Sequence, residues 1–545
     1  MKNLFLFSFI FFLNTTGCFA QKFEAENASL TDGATKINDS GASGGYYVSQ
    51  AEGVIAFPIN LPADGYYNLY VQVASPYGNR SGRLAIDDSS IDFSIVQNNS
   101  FTQIKVINTL KLVKGAHTIK IIKPWGYINV DYIVLEKVKS FSPIMINTTL
   151  VTPDPMDETS RLYQFLQDNY GKKIISGVMT LNSMDEVNWV KANTGKEPAL
   201  MGLDFMHSNR SYTWYDENQP LNDAINYYNR NGIPALFWHW RDPSRKTESF
   251  YTSMANPNDY TSFDVSKIFD ETSDEYKAML SDIDYTAGLL KKFQDNKIPV
   301  IWRPLHEAAG GWFWWGAKGP AAYKKLWLLM YDRMVNYHGL HNLIWVYTHE
   351  PNDDEWYPGD AYADMVSRDI YREGDHSSQI LEFNDLTNRY NGKKMAVIGD
   401  CGSFPDVDNL VKDAANWSWF MVWFGFHDSK YNTLDLWKKT MESDYVLTLD
   451  KMPNLKTYTT ADTGTGIESL KDNDLFRVYP TVFKNQFNIQ SNKLIQSISI
   501  YDKLGRRIKI ANPNKSQYEV SLVGFPSGIY FVKTDHHPAV KVFKR

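Results

Sequence analysis

The chain has 545 residues, enough for three or four domains at about 150 residues each. Its 56 Lys and Arg against 62 Asp and Glu give a formal net charge of −6, which leaves no strongly basic surface for nucleic-acid phosphates. A hydrophobic content of 43% and a charged content of 22% are ordinary for globular proteins and exclude wholesale disorder. The 16 Trp, 33 Tyr and 30 Phe exceed the usual share of aromatic rings, which need a core or a stacking ligand such as a sugar.

The N-terminal segment 1–20 has the pattern of a secretory signal peptide. A short charged start is followed by the apolar run Leu4–Leu13, too short to span a bilayer, and by small residues at a cleavage site. Cys18 could alternatively be a lipid-attachment cysteine. Cleavage at the end of this segment leaves Cys401 alone, so no intramolecular disulfide is expected. No later stretch is apolar for long enough to predict a transmembrane segment.

Two regions of the chain show the alternating pattern of β-sandwiches. Residues 21–138 contain short alternating runs such as Tyr67–Val73, separated by turn residues. A linker rich in Ser, Pro and Thr follows at 139–155, and a second linker covers 456–473. The alternation returns over 474–545 and predicts a second, small C-terminal β-sandwich.

The middle of the chain, residues 156–455, alternates apolar strand-like runs with amphipathic stretches such as Glu275–Asn296 and Ala321–His338. The candidate strands are Lys173–Val178, Ala199–Phe205, Pro234–Trp240, Pro299–Glu307, Leu343–His349, Asp364–Tyr371, Met395–Asp400 and Trp419–Phe424. These βα units predict a central (β/α)8 TIM barrel. A doubly wound open sheet is the alternative, but no Gly-rich phosphate loop follows the first strand.

In such a barrel, the polar residues that end the strands form the active site. They are Asp204, His239, His306, Glu307, His349, Glu350, Tyr371, Asp400 and Trp423. Glu307 ends the fourth strand and Asp400 the seventh, so the two acids are predicted to face each other across the barrel mouth. Retaining glycosidases place two carboxylates about 5 to 5.5 Å apart, so that one acid protonates the leaving oxygen while the other attacks the anomeric carbon. The alternative is that each acid pairs with a basic residue at the rim.

Glu307 lies in the aromatic run Arg303–Gly316, and apolar neighbours raise a carboxyl pKa toward the value that a general acid needs. Trp312, Trp314 and Trp315 could provide this environment or stack on sugars, although core packing is the better interpretation of Phe313 and Trp314. His239 and His306 could be metal ligands. Hydrogen bonding to sugar hydroxyls is the better interpretation, since no third ligand is evident at a strand end.

These motifs resemble glycoside hydrolase family 26, which consists mostly of retaining β-mannanases. The resemblance covers about 300 residues and is carried by Arg303–Gly316, Phe237–Trp240, Asp369–Tyr371 and Phe420–Phe424. It implies that Glu307 is the catalytic acid/base. It also implies that His306, Trp312, Tyr371 and Trp423 line the subsite where the bond breaks, with the Tyr371 hydroxyl holding the nucleophile.

The chain departs from the family at the nucleophile. Asp400 stands where the family has glutamate, and its carboxylate is expected to be withdrawn by roughly 1.5 Å. A misplacement near 1 Å can cost on the order of a hundredfold in rate. Three outcomes follow: an enzyme with an aspartate nucleophile, a slowed enzyme, or a site that binds mannan without cutting it. We favour an enzyme, because aspartate is a competent nucleophile. Glu350, at the end of the fifth strand, is a less favoured candidate for the nucleophile in place of Asp400.

The first sandwich resembles carbohydrate-binding module family 35. The resemblance is carried by Phe23–Glu26 and Trp125–Tyr132. It implies that Glu24, Glu26 and Asp131 supply oxygen ligands to a structural Ca²⁺ ion. A charged sandwich edge without metal is the alternative. It further implies that Trp125 stacks on a sugar that Asn129 hydrogen-bonds.

The last 70 or so residues resemble the sorting domain of the type IX secretion system. The matching segments are Val478–Pro480, Ile500–Arg506 and Pro526–Lys533, whereas Thr481–Val482 departs from the motif. The resemblance implies a Gram-negative bacterium that exports the protein across both membranes and secretes it or attaches it to the cell surface. A β-rich adhesion domain is the alternative.

The sequence as a whole therefore predicts a secreted, monomeric β-1,4-mannanase that acts by double displacement on mannan, glucomannan or galactomannan. No cofactor is expected for catalysis. Its expected partners are β-mannan and the type IX machinery. The alternatives are a weakened or inactive mannan-binding surface protein and a β-1,3-xylanase or β-glucanase.

Overall fold

The structure, a computed structural model, describes residues 20–50, 53–87, 89–125, 127–138, 144–181, 183–351, 353–428, 430–459, 476–479, 482–502, 506–535 and 540–544. Residues 1–19 of the predicted signal peptide and most of the second predicted linker lie outside these residues. The chain divides at residue 463 into two compact units. Among the described residues, no helix combines the length and apolarity that crossing a bilayer requires.

The N-terminal part of the first unit is a β-sandwich. Its strands are β1 (Ala20–Glu24), β2 (Ser29–Thr31), β3 (Ala34–Asn38), β4 (Tyr46–Gln50), β5 (Val54–Leu61), β6 (Gly65–Ser75), β7 (Arg80–Ile86), β8 (Ser89–Ile95), β9 (Asn98–Leu112), β10 (Gly115–Trp125) and β11 (Ile128–Val138). One sheet has the order β3-β4-β11-β6-β9 with β1 beside β11, and the other has the order β2-β5-β10-β7-β8. The alternating residues of both sheets face each other in a shared apolar core.

The middle of the first unit is a barrel. Its strands are β12 (Ile174–Met179), β13 (Leu200–Asp204), β14 (Ile233–Trp238), β15 (Val300–Pro304), β16 (Leu343–His349), β17 (Met365–Ile370), β18 (Met395–Cys401) and β19 (Trp419–Val422). In the described part of the chain, these eight parallel strands close on themselves, because β12 pairs with both β13 and β19. The predicted (β/α)8 fold is thus confirmed. A short strand, β20 (Val446–Leu447), adds to β12.

Helices cover the outside of the barrel and bury one face each. They are α1 (Asp157–Asn169), α2 (Asp185–Thr194), α3 (Gln219–Asn229), α4 (Asp274–Asp295), α5 (Gly319–Tyr331), α6 (Ile380–Arg389), α7 (Val407–Asp413) and α8 (Leu434–Glu442). Helix α4 shows how the sequence sets a boundary: the Ser273 side chain caps it by accepting from the Tyr276 N–H at 3.1 Å. Residues Asp332–Tyr337 continue α5 as a π-helical turn.

The fourth barrel strand differs from the prediction at its end. It was expected to reach Glu307 but stops at Pro304. Leu305 and Glu307 have φ angles of 51° and 54°, in the left-handed region that extended strands do not use. Glu307 is therefore presented by a tight turn above the strand.

The sandwich and the barrel share a core through helix α6. Leu381 is buried within the apolar cluster of the sandwich, and Ile380 packs against both cores. The second half of the predicted linker also runs along the barrel, where the Met145 and Asn147 N–H groups donate to the carbonyls of Gly392 and Lys393 at 2.8 and 2.9 Å. The two modules form one body.

The second unit consists of strands in two sheets. Its strands are β21 (Phe476–Tyr479), β22 (Val482–Phe483), β23 (Gln486–Ile495), β24 (Ile498–Asp502), β25 (Arg507–Ala511), β26 (Lys515–Ser521), β27 (Gly528–Thr534) and β28 (Val540–Lys544). The sheet orders are β21-β23-β26 and β22-β28-β27-β24-β25. Buried Phe487, Ile489, Ile500 and Val532 belong to its core, as the alternating pattern predicts.

Candidate active site

A cavity of about 500 Å³ lies over the carboxyl ends of the barrel strands. Its lining includes the predicted residues His239, His306, Glu307, Trp312, Tyr371, Asp400 and Trp423. Asp204 and His349, which were also predicted from the strand ends, do not line it. Glu307 and Asp400 thus open into one space, as two groups acting on one sugar unit must.

Asp400 is held from below by a buried guanidinium. Arg303 Nη2 donates to Asp400 Oδ2, and Nη1 donates to both Asp369 carboxylate oxygens at 3.0 and 2.9 Å. Burial would lower the pKa of Arg303, but the two carboxylates outweigh it and raise the pKa, so the cation persists. The second Asp400 oxygen, Oδ1, is buried and makes no hydrogen bond.

A bulge in β18 places Asp400 over this pair. The register with β17 shifts by one residue, so that Asp369 lies opposite Asp400 and Gly399 is the extra residue. A Cβ atom at Gly399 would lie 2.7 Å from Asp369 Oδ1 and 3.1 Å from Arg303 Nη1. Only glycine leaves room for the ion pair beneath the bulge.

Both carboxyl groups have a raised pKa. Burial raises the pKa of Glu307, and the charges of Asp369, Glu350 and Asp400 raise it further. Burial also raises the pKa of Asp400, while the adjoining Arg303 guanidinium opposes this. The Arg303 guanidinium hydrogen-bonds Asp400 directly and makes no hydrogen bond to Glu307 among the described contacts, so it favours the ionised form of Asp400 more strongly.

His239 and His306 lie side by side, with ring centroids 4.5 Å apart. Asp204 fixes His239, accepting from its backbone N–H at 3.0 Å and contacting ring Nδ1 at 2.5 Å. Burial lowers the pKa of His306 well below its ordinary value, and nearby His239 and Arg303 add to this, so the ring is neutral. Its Nδ1 is buried without a partner.

The aromatic residues divide into a core set and a cavity set. Trp314 and Trp315 are fully buried in the barrel core, where their indole N–H groups donate to the carbonyls of Trp240 and His306. Trp312 instead lines the cavity and donates from Nε1 to Glu307 Oε2 at 2.9 Å. Phe313 is buried but also borders the cavity.

Tyr371 and Trp423 complete the predicted lining. Trp423 packs against the His239 ring with centroids 5.4 Å apart. Tyr371 is 45% exposed and packs edge-on against Phe426. Among the hydrogen bonds of the described residues, none joins the Tyr371 hydroxyl to Asp400, so its role in holding the nucleophile stays a prediction.

Glu350 is a further acid in the cavity. Its carboxylate lies 3.4 Å from Arg368 Nη1, and burial raises its pKa to about 7 despite that neighbour. It contacts the cation of another strand rather than Arg303, so it does not share the position of Asp400.

The three acids predicted to bind calcium lie around Ser43 in the sandwich. The Ser43 N–H donates to Asp131 at 3.0 Å and its hydroxyl to Glu24 at 2.9 Å. Glu24 and Glu26 each keep a buried Oε2 without a hydrogen bond. Burial raises the pKa of Asp131, and the charges of Glu24 and Glu26 add to it. Within the described residues, no three such side chains form a ready-made metal cage.

The predicted sugar-binding residues of the sandwich are only partly described. Asn129 lies on β11 with a buried side-chain oxygen that makes no hydrogen bond, as a ligand-binding amide could. The side chain of Trp125 lies outside the described part of the structure.

The sequence analysis assigns no role to three residues that organise the site. Arg303 and Asp369 form the buried ion pair under Asp400, and Asp204, which was predicted only as a strand-end residue, orients His239. Charged residues in or at the end of otherwise apolar strands could have identified all three, since buried charges are paired.

Comparison with known proteins places each module. The model for glycosyl hydrolase family 26 matches residues 151–451, that for carbohydrate binding module family 35 matches 21–138, and that for a secretion system C-terminal sorting domain matches 477–545. A mannan endo-1,4-β-mannosidase of Thermothelomyces thermophilus is 35% identical over 79% of this chain and 90% of its own length. A mannan endo-1,4-β-mannosidase A of Piromyces is 34% identical over 79% of this chain and 72% of its own length.

Two solved structures are also similar. A GH26-CBM35 β-(1,4)-mannanase of Podospora anserina is 33% identical, covers 80% of this chain and 99% of its own, and has a TM-score of 0.54. A β-mannanase from a symbiotic protist of the termite Reticulitermes speratus, complexed with gluco-manno-oligosaccharide, is 42% identical and has a TM-score of 0.55. The match covers 57% of this chain and 99% of that one. The first resembles this chain across both the sandwich and the barrel.

Proposed function

Since the chain belongs to glycosyl hydrolase family 26 and its relatives over most of its length are mannan endo-1,4-β-mannosidases, we propose that it cleaves β-1,4-mannosidic bonds within mannan, glucomannan and galactomannan with retention of configuration. The observation that carries the proposal is the opening of Glu307 and Asp400 into one cavity, with only Asp400 bound to a buried cation.

In the first step, Glu307 donates its proton to the glycosidic oxygen while an Asp400 oxygen attacks the anomeric carbon. The glycosidic bond breaks, and a mannosyl ester forms on Asp400 with inverted configuration. In the second step, the Glu307 carboxylate takes a proton from water, and the resulting oxygen displaces Asp400 from the anomeric carbon. Two inversions give net retention, and both acids return to their starting states.

The surrounding residues support these steps in different ways. Arg303 favours the ionised form of Asp400, and the aromatic surroundings of Glu307 favour its protonated form. Trp312 and Trp423 present rings to the cavity, where pyranose faces can stack. The neutral His306 and the oriented His239 supply hydrogen-bonding nitrogens for sugar hydroxyls.

The proposal is tested by following reducing ends released from purified mannan, glucomannan and galactomannan. Asp400→Asn and Glu307→Ala should each lose more than about a hundredfold in kcat, while Glu355→Gln, an exposed acid outside the cavity, should not change it. On an activated aryl β-mannoside, whose leaving group needs no proton, azide should rescue Glu307→Ala and yield a β-mannosyl azide, because the anion attacks the glycosyl ester in the second step without a general base. Wild-type protein that is retarded in a mannan gel but releases nothing would instead be a binding protein.

We also propose that the sandwich binds Ca²⁺ through Glu24, Glu26 and Asp131. The two unpartnered carboxylate oxygens and the mutual repulsion of the three acids support this, since a hard divalent cation relieves both. Lys22 Nζ already pairs with Glu24 Oε1 at 2.7 Å, and Ser43 lies between Glu24 and Asp131, so binding requires the Lys22 and Ser43 side chains to turn away.

We further propose that the protein leaves a Gram-negative cell in two steps. The leader at 1–20 fits export across the inner membrane, and the sorting domain fits type IX export to the medium or the cell surface. An enzyme outside the cell can meet a polymer too large to enter it.

A further inference from the structure

The catalytic cavity is bordered by the N-terminal sandwich as well as by the barrel. Ser81, Asp92 and Ser94 line the same space as Glu307 and Asp400. They come from β7 and β8, the last two strands of one sheet. The sandwich is therefore positioned to contact whatever the barrel binds.

Strand register explains why polar residues face the cavity. Ser81 lies opposite Ser94, and Arg83 lies opposite Asp92. Because side chains alternate along a strand, these four residues share one face of the β7–β8 hairpin. On the opposite face, Leu84 and Phe93 are buried in the sandwich core. The four residues are called the hairpin face below.

An ion-pair network fixes the hairpin face to the barrel. Asp92 accepts from Arg83 Nε at 2.6 Å and lies 3.3 Å from Arg372 Nε. Arg372 Nη1 also donates to the Ser90 carbonyl at 3.0 Å. Burial would raise the pKa of Asp92, but hydrogen bonding to Arg83 and the charge of Arg372 lower it, so the carboxylate is retained.

The anchor lies directly beside the catalytic groups. Arg372 follows Tyr371 in the chain, and its guanidinium is secured by Glu382 and by Gln379 at 2.6 Å. The position of the hairpin face relative to Tyr371 is thus set by adjoining residues rather than by a flexible linker. A rigid polar wall can hydrogen-bond sugar hydroxyls without first being ordered.

We propose that the hairpin face forms one wall of the substrate groove and that Ser81 and Ser94 contact a mannosyl unit beyond the one at which the bond breaks. The inference rests on the proposed function. It gives the sandwich a second role, as a specificity element for long chains, separate from any sugar site around Asn129.

The test introduces bulk into the wall. Ser94→Trp should lower kcat/KM for mannohexaose about tenfold more than for mannotriose, because the longer chain must pass the wall and the shorter one need not. Val96→Trp is the matched control: Val96 is exposed two residues further along, outside the cavity, and should leave both values unchanged. Thermal unfolding of each variant verifies the fold.

A binding measurement separates this inference from the proposed function. In a Glu307→Gln background, calorimetry should show weaker mannohexaose binding with Ser94→Trp than with Val96→Trp. Equal affinities and equal substrate ratios for the two variants would overturn the inference, even if mannan is cut. Absence of reducing ends from every mannan would overturn the proposed function. The calorimetric comparison would still show whether the hairpin face contacts bound mannohexaose.

Discussion

Arg303 pairs with Asp400 at the base of the cavity and shares the same guanidinium with Asp369. This contact favours the ionised form of Asp400 and holds its short side chain against the buried ion pair with Asp369.

Asp400→Glu should raise kcat on mannan by about tenfold or more, because the added methylene carries the carboxylate roughly 1.5 Å toward the anomeric carbon. Initial rates of reducing-end release give the measurement. Asp369→Glu, the same change in the neighbouring partner of Arg303, should give no gain. An equal or lower rate for Asp400→Glu would mean that the site is matched to aspartate.

Arg303→Met should destabilise the protein by about 3–5 kcal/mol at neutral pH, because it leaves Asp369 and Asp400 buried without their cation. Urea denaturation measures the loss. The deficit should shrink as the pH falls, since burial raises the folded pKa of Asp400 above its unfolded value and its carboxyl costs less once protonated. Lys291→Met breaks an exposed ion pair with Asp295 and should cost less than about 1 kcal/mol.

Trp312→Phe should shift the alkaline limb of the pH profile of kcat/KM to higher pH by roughly one unit. The indole N–H donates to Glu307 Oε2 and favours its ionised form, so its removal raises the Glu307 pKa and keeps the acid protonated to higher pH. The acidic limb, set by Asp400, should stay in place. A limb that moves downward would show that Glu307 is not the acid.

The barrel was predictable from the sequence because its strands are apolar runs bounded by helices with a clear polar face. The strand Leu343–His349 has the predicted bounds, and Met395–Cys401 differs from its prediction by one residue. The end of the fourth strand was not predictable, because the turn at Leu305 and Glu307 uses left-handed backbone angles that neither residue type favours.

Most residues that line the site could be predicted because they end barrel strands. The ion pairs that hold these residues in place could not. The sequence could not show that Arg303 serves two carboxylates, because Asp369 and Asp400 lie 66 and 97 positions further along the chain. Nor could it show that the β7–β8 hairpin borders the cavity, since contacts between modules depend on how complementary surfaces dock and leave no periodic pattern.

Leu381→Ala should lower the free energy of unfolding by about 2–5 kcal/mol, because this barrel residue is buried in the sandwich core. Denaturation followed by tryptophan fluorescence gives the value. Leu434→Ala, at a partly exposed leucine of α8, should change it by less than about 0.5 kcal/mol. A loss below about 1 kcal/mol for Leu381→Ala would contradict the shared core.

Calcium should stabilise the folded protein by about 2.7 kcal/mol at 100 times its Kd, seen as a rise in Tm after treatment with a chelator and then CaCl₂. Asp131→Asn should abolish the rise. Glu136→Gln, which alters an acid on the same strand that already bonds Tyr70 and Asn68, should preserve it. A wild-type Tm that is insensitive to Ca²⁺ would rule out the ion.

The burial of Leu381 in the sandwich has a consequence for how such chains can be recombined. A barrel truncated at residue 144, or fused to an unrelated binding module, would expose the apolar residues of α6 to water. It would also lose the contact between Asp92 and Arg372, the residue after Tyr371. Chimeras that exchange only the first module should therefore aggregate or lose discrimination between long and short substrates.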